Sequence, residues 1–116
     1  MDSATYLKDH LHEVPVHVIP CFSPRADNLS AFGQATRWGC VLPATWSFML
    51  AARARGLGTA WTTVHLRYEE EAALLLGIPY ADVEQAALIP VAYTKGTDFK
   101  PAFRDPLERI LHWQGW

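Results

Sequence analysis

Apolar residues recur along this chain with a period that changes from block to block, and each change marks a predicted element. From Ala4 to His12, Tyr6, Leu7 and Leu11 fall on one side of a helix that Ser3 can cap. Val14 to Phe22 is a dense β-branched run, Val-Pro-Val-His-Val-Ile-Pro-Cys-Phe, and reads as a strand. Pro15 and Pro20 confine its regular ladder to the middle, because proline cannot donate a backbone hydrogen bond. Ser23 to Trp38 carries Pro24, Asp27, Asn28, Ser30 and Gly33 and reads as a long loop. Phe32 and Trp38 would be costly to leave in water, so this loop is expected to fold over something.

Cys40 to Arg55 gives the strongest helix signal. Leu42, Trp46, Met49 and Arg53 line one face, and Val41, Thr45, Phe48 and Ala52 the next, so the helix is apolar on every side and expected to be buried. Pro43 suits its first turn and Gly56 its end. The Gly56-Leu57-Gly58 turn leads into a β-prone run, Thr59 to Val64. Tyr68 to Leu76 reads as a short amphipathic helix, with Glu69, Glu70 and Glu71 where an amino terminus favours negative charge and Gly77 closing it. Gln85 to Tyr93 is a third apolar strand. From Thr94 the tail is polar and extended, ending in a short apolar strand or arm around Ile110-Leu111-His112-Trp113. The alternation of strands and helices predicts an α+β fold with α/β-type layering.

Length bounds this to one domain, residues 1–116, with a carboxy-terminal arm at 107–116. A chain this short buries only about two-thirds of the surface it exposes when unfolded. Half its residues are apolar and five are Trp, so apolar surface is expected to be left over for a partner. A net charge of −2 without a basic stripe argues against nucleic-acid binding. The amino terminus lacks the apolar core of a signal peptide, and the apolar helix is too short and too charged to span a bilayer. A soluble, cytoplasmic protein with no membrane partner is expected. Cys21 and Cys40 lie where small buried thiols are ordinary, and are expected to be reduced and structural.

The order of the pieces resembles the carboxy-terminal half of the FMN-dependent nitroreductase family. Val14-Pro-Val-His-Val-Ile-Pro20 comes first, followed by Leu42-Pro-Ala-Thr-Trp-Ser-Phe-Met-Leu-Ala-Ala52. This runs into Arg55-Gly-Leu-Gly-Thr-Ala-Trp-Thr-Thr63, and Glu71 to Pro79 closes on Leu-Gly-Ile-Pro. Ala87-Leu-Ile-Pro-Val-Ala-Tyr93 and Phe99-Lys-Pro-Ala-Phe-Arg104 complete the series, which covers nearly the whole chain.

The resemblance implies a nitroreductase-like sheet flanked by helices, partial here and completed by dimerisation or by a separate amino-terminal half. It implies a homodimer holding FMN in a cleft between subunits, with NAD(P)H as co-substrate and nitroaromatics, quinones or related molecules as acceptors. The family's amino-terminal Arg-rich segment, which grips the FMN phosphate and pyrimidine edge, is not among these residues, so a truncated or split form is expected. A non-catalytic fragment serving as a self-associating or interaction subunit is the alternative.

Residue by residue, the resemblance places Lys100 and Arg104 on the FMN phosphate, where two cations suit a dianion. It places Trp61, Thr62 and Thr63 along the isoalloxazine, where backbone N–H groups stabilise the electron density of the reduced ring. Phe32 and Trp38 would border the substrate side of the cleft, or act as hydrophobic pegs holding the loop down. It names no catalytic side chain.

Other motifs fall away. Gly56-Leu57-Gly58 precedes a strand and lacks the third glycine of a dinucleotide fingerprint. His10, His12, His17, His65 and His112 have no metal-ligand spacing, so no metal is expected. Cys21 has no evident partners for a nucleophile's role.

Overall fold

A computed structural model of the chain describes residues 3–115 and gives an α+β fold built on small antiparallel sheets. Helix α1 spans Ser3–His10 and tightens into a 3-10 turn over Leu11–Glu13. Strands β1 (Val16–Val18) and β2 (Cys21–Phe22) follow, then the long helix α2 (Ala31–Arg53) and strand β3 (Leu57–Thr59). A 3-10 turn over Val64–Tyr68 runs into helix α3 (Glu69–Leu76), which leads to β4 (Glu84–Gln85) and β5 (Ile89–Tyr93). The tail adds only a 3-10 turn at Leu107–Arg109.

β5 is the central strand of a three-stranded sheet ordered β1-β5-β3, and β2 pairs with β4. The expected strand over Val14–Phe22 is present but broken. Val18 pairs with Ile89 and Cys21 with Gln85, so two residues on one side face three on the other. That extra residue is a bulge, placed where Pro20 has no N–H to continue the ladder. Pro20 still accepts from the Ala86 amide at 2.8 Å, which makes β1–β2 and β4–β5 two arms of one bent ribbon.

The largest correction concerns Ser23–Trp38. Only its first part is loop, and α2 begins at Ala31. Ser30 caps the helix by accepting from the Gly33 amide at 3.2 Å. The polar and glycine-rich composition that suggests a loop belongs in its second part to a cap and a first helical turn. Pro43 consequently lies inside the helix and not in its first turn. Pro43 has no N–H to donate to the Gly39 carbonyl one turn back, and the helix continues through it. The β-prone run Thr59 to Val64 is likewise shorter than expected, since Val64 already belongs to the 3-10 turn. Gly77 ends α3 in the left-handed conformation, φ 69°, as the sequence predicts.

The core is small. Ala87, Ile89 and Val91 of the β5 region are buried against Val18, Met49 and Leu57, and the other buried apolar residues are Ala52, Ala73 and Ala86. Helix α2 is not buried as expected. Of its 23 residues only Thr45 and Ala52 are buried, and Trp46 is 55 % exposed.

The same holds for the whole chain, which exposes 9283 Å² where a compact monomer of this mass exposes about 6,300 Å². Its radius of gyration is 17.1 Å against about 13.4 Å for a compact domain of this length. Leu74, Leu75, Tyr93 and Trp113 all stand largely in solvent. The tail from Lys95 to Gly115 is exposed throughout, and the arm around Ile110 forms no strand; Trp116 lies outside the described residues. No helix among the described residues is long and apolar enough to cross a membrane.

Candidate functional site

Strand β3 is an edge strand, and the residues beyond it keep its register on β5. Leu57 faces Tyr93, Thr59 faces Val91, and after a gap Thr62 faces Leu88. The gap has a single cause. Ala60 donates to Pro90 at 3.4 Å, but Pro90 has no N–H to return the bond. Thr62 and Leu88 then exchange both bonds, at 3.1 and 2.8 Å. Because Ala60 and Thr62 point their amides inward to β5, the alternation of an antiparallel ladder turns the Trp61 amide toward the open sheet edge. The Trp61 side chain is about one-third exposed and Thr63 is exposed, while Thr62 Oγ1 accepts from the Val64 amide at 3.5 Å.

A groove of about 590 Å³ runs along one side of this edge. Trp46, Met49, Leu50 and Arg53 of α2 form one wall, Leu57 to Ala60 the floor, and Leu7, Val14, Tyr93 and Phe99 the remaining sides. Its size is that of a small-molecule cleft, and its lining is apolar with one cation, Arg53. The Arg53 guanidinium lies over the Phe99 ring, 4.3 Å from its centroid, which ties the start of the tail to the end of α2.

The residues expected to hold FMN are not gathered into one cluster. Trp61, Thr62 and Thr63 lie together at the sheet edge. Lys100 and Arg104 are exposed on the tail, and the Arg104 guanidinium donates only to the neighbouring Phe103 carbonyl, at 2.9 Å. No hydrogen bond or ion pair joins the two sets among the described residues. None of the five lines the groove, although its lining includes Ala60 and Phe99, the chain neighbours of Trp61 and Lys100.

Phe32 and Trp38 are helix residues and not loop residues. Phe32 is 82 % exposed in the first turn of α2. Trp38 packs edge-on against Phe22 with centroids 5.2 Å apart. Cys21 and Cys40 are free thiols, as expected, but both are exposed and not buried. Partial burial and, less strongly, the Glu69 carboxylate push the Cys21 thiol up, away from its reactive form. Among the described residues no three His, Cys, Asp or Glu side chains converge as metal ligands.

A charged network behind the edge has no counterpart in the sequence pattern. Arg25 donates to Glu69 at 2.6 Å, to the Tyr80 carbonyl at 2.7 Å and to the Val83 carbonyl at 3.2 Å, and lies over the Tyr80 ring. Glu69 also accepts from the Gln85 amide at 2.8 Å, and the Gln85 side chain donates back to the Glu69 carbonyl. A second pair, Arg37 with Glu84 at 3.1 Å, joins α2 to β4; Arg37 also donates to the Pro24 carbonyl and lies over Phe22. These pairs fasten α2, α3 and the β2–β4 ribbon to one another. Their partners are tens of residues apart, so no local pattern announces them.

No protein-family model, curated protein or solved structure matches the chain.

Proposed function

We propose that this chain forms one side of the flavin cleft of a nitroreductase-class oxidoreductase, which passes hydride equivalents from NAD(P)H through FMN to nitroaromatic, quinone or related acceptors. The observation that carries the reading is the groove whose lining includes Ala60 and Phe99. These two residues are the chain neighbours of Trp61, in the segment expected to meet the flavin ring, and of Lys100, one of the cations expected to meet its phosphate. Six sequence motifs in the family's order support it from the other side.

FMN fits the residues present in part. A Trp61 amide turned to an open sheet edge is the donor a flavin's polar rim requires, and the apolar groove beside it suits a flat ring. Lys100 and Arg104 have the right chemistry for the phosphate but stand in solvent, with only the Phe99–Arg53 stack holding their segment near the groove. FMN, when bound, supplies the redox step itself. This chain's own residues supply orientation. The Trp61 amide fixes the ring edge, Lys100 and Arg104 neutralise the phosphate, and the walls from Trp46 to Leu57 exclude water.

A second copy completes the cleft in this reading. The chain carries roughly 3,000 Å² more surface than a compact monomer needs, and obligate dimers bury areas of this order. The arm from Leu107, with exposed Ile110, Leu111 and Trp113, reaches the partner's sheet.

Titration of the purified chain with FMN tests the proposal. Saturable binding with the yellow colour of oxidised flavin is the expected result. A chain that self-associates but binds no flavin is instead the non-catalytic interaction subunit.

A further inference from the structure

His65 sits in the 3-10 turn that follows Thr62 and Thr63. Both of its ring nitrogens are closed off from solvent without a hydrogen-bond partner, and so is the side-chain oxygen of Gln85. Gln85 is itself only 2 % exposed. Native interiors leave few such atoms unpaired, so three in one cluster need a reason.

Their chemistry supplies one. A neutral imidazole has one donor and one acceptor, and the Gln85 side chain with which it interacts carries an oxygen that can accept its N–H. An imidazolium has two donors to satisfy, and neither ring nitrogen of His65 has an acceptor in the closed arrangement. Glu69, the carboxylate whose charge reaches the ring, is engaged at Oε1 by both Arg25 and the Gln85 amide.

We propose that His65 is a proton-operated latch. Neutral, it packs on Gln85 and holds the Thr62–Tyr68 segment against the β4–β5 ribbon; protonated, it lets the segment go.

The charges around it are consistent with this. Burial lowers the imidazole's proton affinity more than the Gln85 and Glu69 interactions raise it. Arg25, on the far side of Glu69, offsets that carboxylate, and Cys21, opposite Gln85 across the β2–β4 pair, is pushed toward its neutral form. Arg67 in the same turn and Glu70 and Glu71 of α3 are exposed.

The sign of the pH effect follows. Above about pH 6.5 the ring is neutral whether the segment is closed or open, and the latch holds fully. Below that the open state takes up a proton that the closed state refuses, so opening becomes easier until the lowered closed-state value is passed. With a closed state that stays neutral, the opening equilibrium rises about tenfold between pH 7.5 and pH 5.5. The consequence for flavin rests on the reading given above, because the latched segment adjoins Trp61 to Thr63; the latch itself belongs to the flavin-free chain.

Hydrogen exchange at the paired Thr62 and Leu88 amides, corrected for the intrinsic rate, reads the latch in the full chain without flavin. The expected result is a rise in opening of up to about tenfold between pH 7.5 and 5.5, absent in His65→Gln and His65→Leu. The same rise in a variant as in the parent would overturn the proposal. Should neither variant fold, NMR of the parent's His65 ring decides: a neutral ring at pH 6.0 supports the latch, and one half-protonated at pH 6.5 or above overturns it. A working latch in a chain that binds no FMN would discard the flavin reading alone.

Discussion

Arg25 and Glu69 approach to 2.6 Å with side chains only 10 % and 15 % exposed, and through this pair a loop residue after β2 is locked to the first turn of α3. Three further anchors hold the guanidinium: the Tyr80 and Val83 carbonyls and the face of the Tyr80 ring. Removing one partner of such a pair leaves the other charge poorly solvated. Arg25→Ala is therefore expected to cost about 3 kcal/mol of unfolding free energy, measured by urea denaturation. Arg25→Lys should lose more than half as much, because an ammonium cannot reproduce the planar fork that reaches all three oxygens. A lysine variant as stable as the parent would show that charge alone matters here.

The same substitution should act with opposite sign at two glycines. Gly77 ends α3 at φ 69°, and a methyl group added there would meet nothing within 4 Å, so Gly77→Ala brings no clash but adopts a strained backbone. A loss of about 1 kcal/mol is expected. Gly39 is also uncrowded but lies inside α2 in ordinary helical conformation, where alanine should add about 0.5–1 kcal/mol. Thermal midpoints of the two variants that move in the same direction would show that backbone conformation does not decide the sign.

Much of the fold is legible from local pattern. The α3 boundary at Gly77 follows from capping chemistry and the structure has it, while the apolar run Gln85 to Tyr93 is divided between the end of β4 at Gln85 and β5 at Ile89–Tyr93. The departures share a cause. Ser30 and Gly33 resemble loop residues because a capped helix start and a loop use the same residue types, and only the Ser30–Gly33 hydrogen bond separates them. The site is legible only as far as single segments. Trp61 to Thr63 can be placed on a strand edge, but the groove's cation, Arg53, and the network behind the edge depend on contacts between distant segments. Arg25 and Glu69 are 44 residues apart.

If the tail cations serve the phosphate, Arg104→Ala should weaken FMN by about 1.5–3 kcal/mol and riboflavin much less, since only FMN carries the phosphate. Fluorescence titration with both ligands makes the comparison. Equal losses would remove Arg104 from that role and leave Lys100 or Arg53 as the remaining cation of the groove's surroundings.

The arm makes a separate prediction. Leu107, Ile110 and Trp113 are exposed, and none of the described residues covers them. If a second copy does, deleting residues 108–116 should split the oligomer, and the thermal midpoint should lose its dependence on protein concentration. An oligomer unchanged by the deletion would place its interface elsewhere, for example on the exposed Leu74 and Leu75 of α3.

A flavin cleft formed between two copies of this chain ties cofactor binding to dimer mass. Sedimentation velocity of the chain with FMN, followed at once by protein absorbance and by flavin absorbance, reads both quantities in one experiment. Flavin is expected to sediment with a species of twice the 13.0 kDa chain mass and to be absent from any monomer. Flavin that remains at the meniscus while the protein sediments, or that travels with a monomer, would refute the shared cleft.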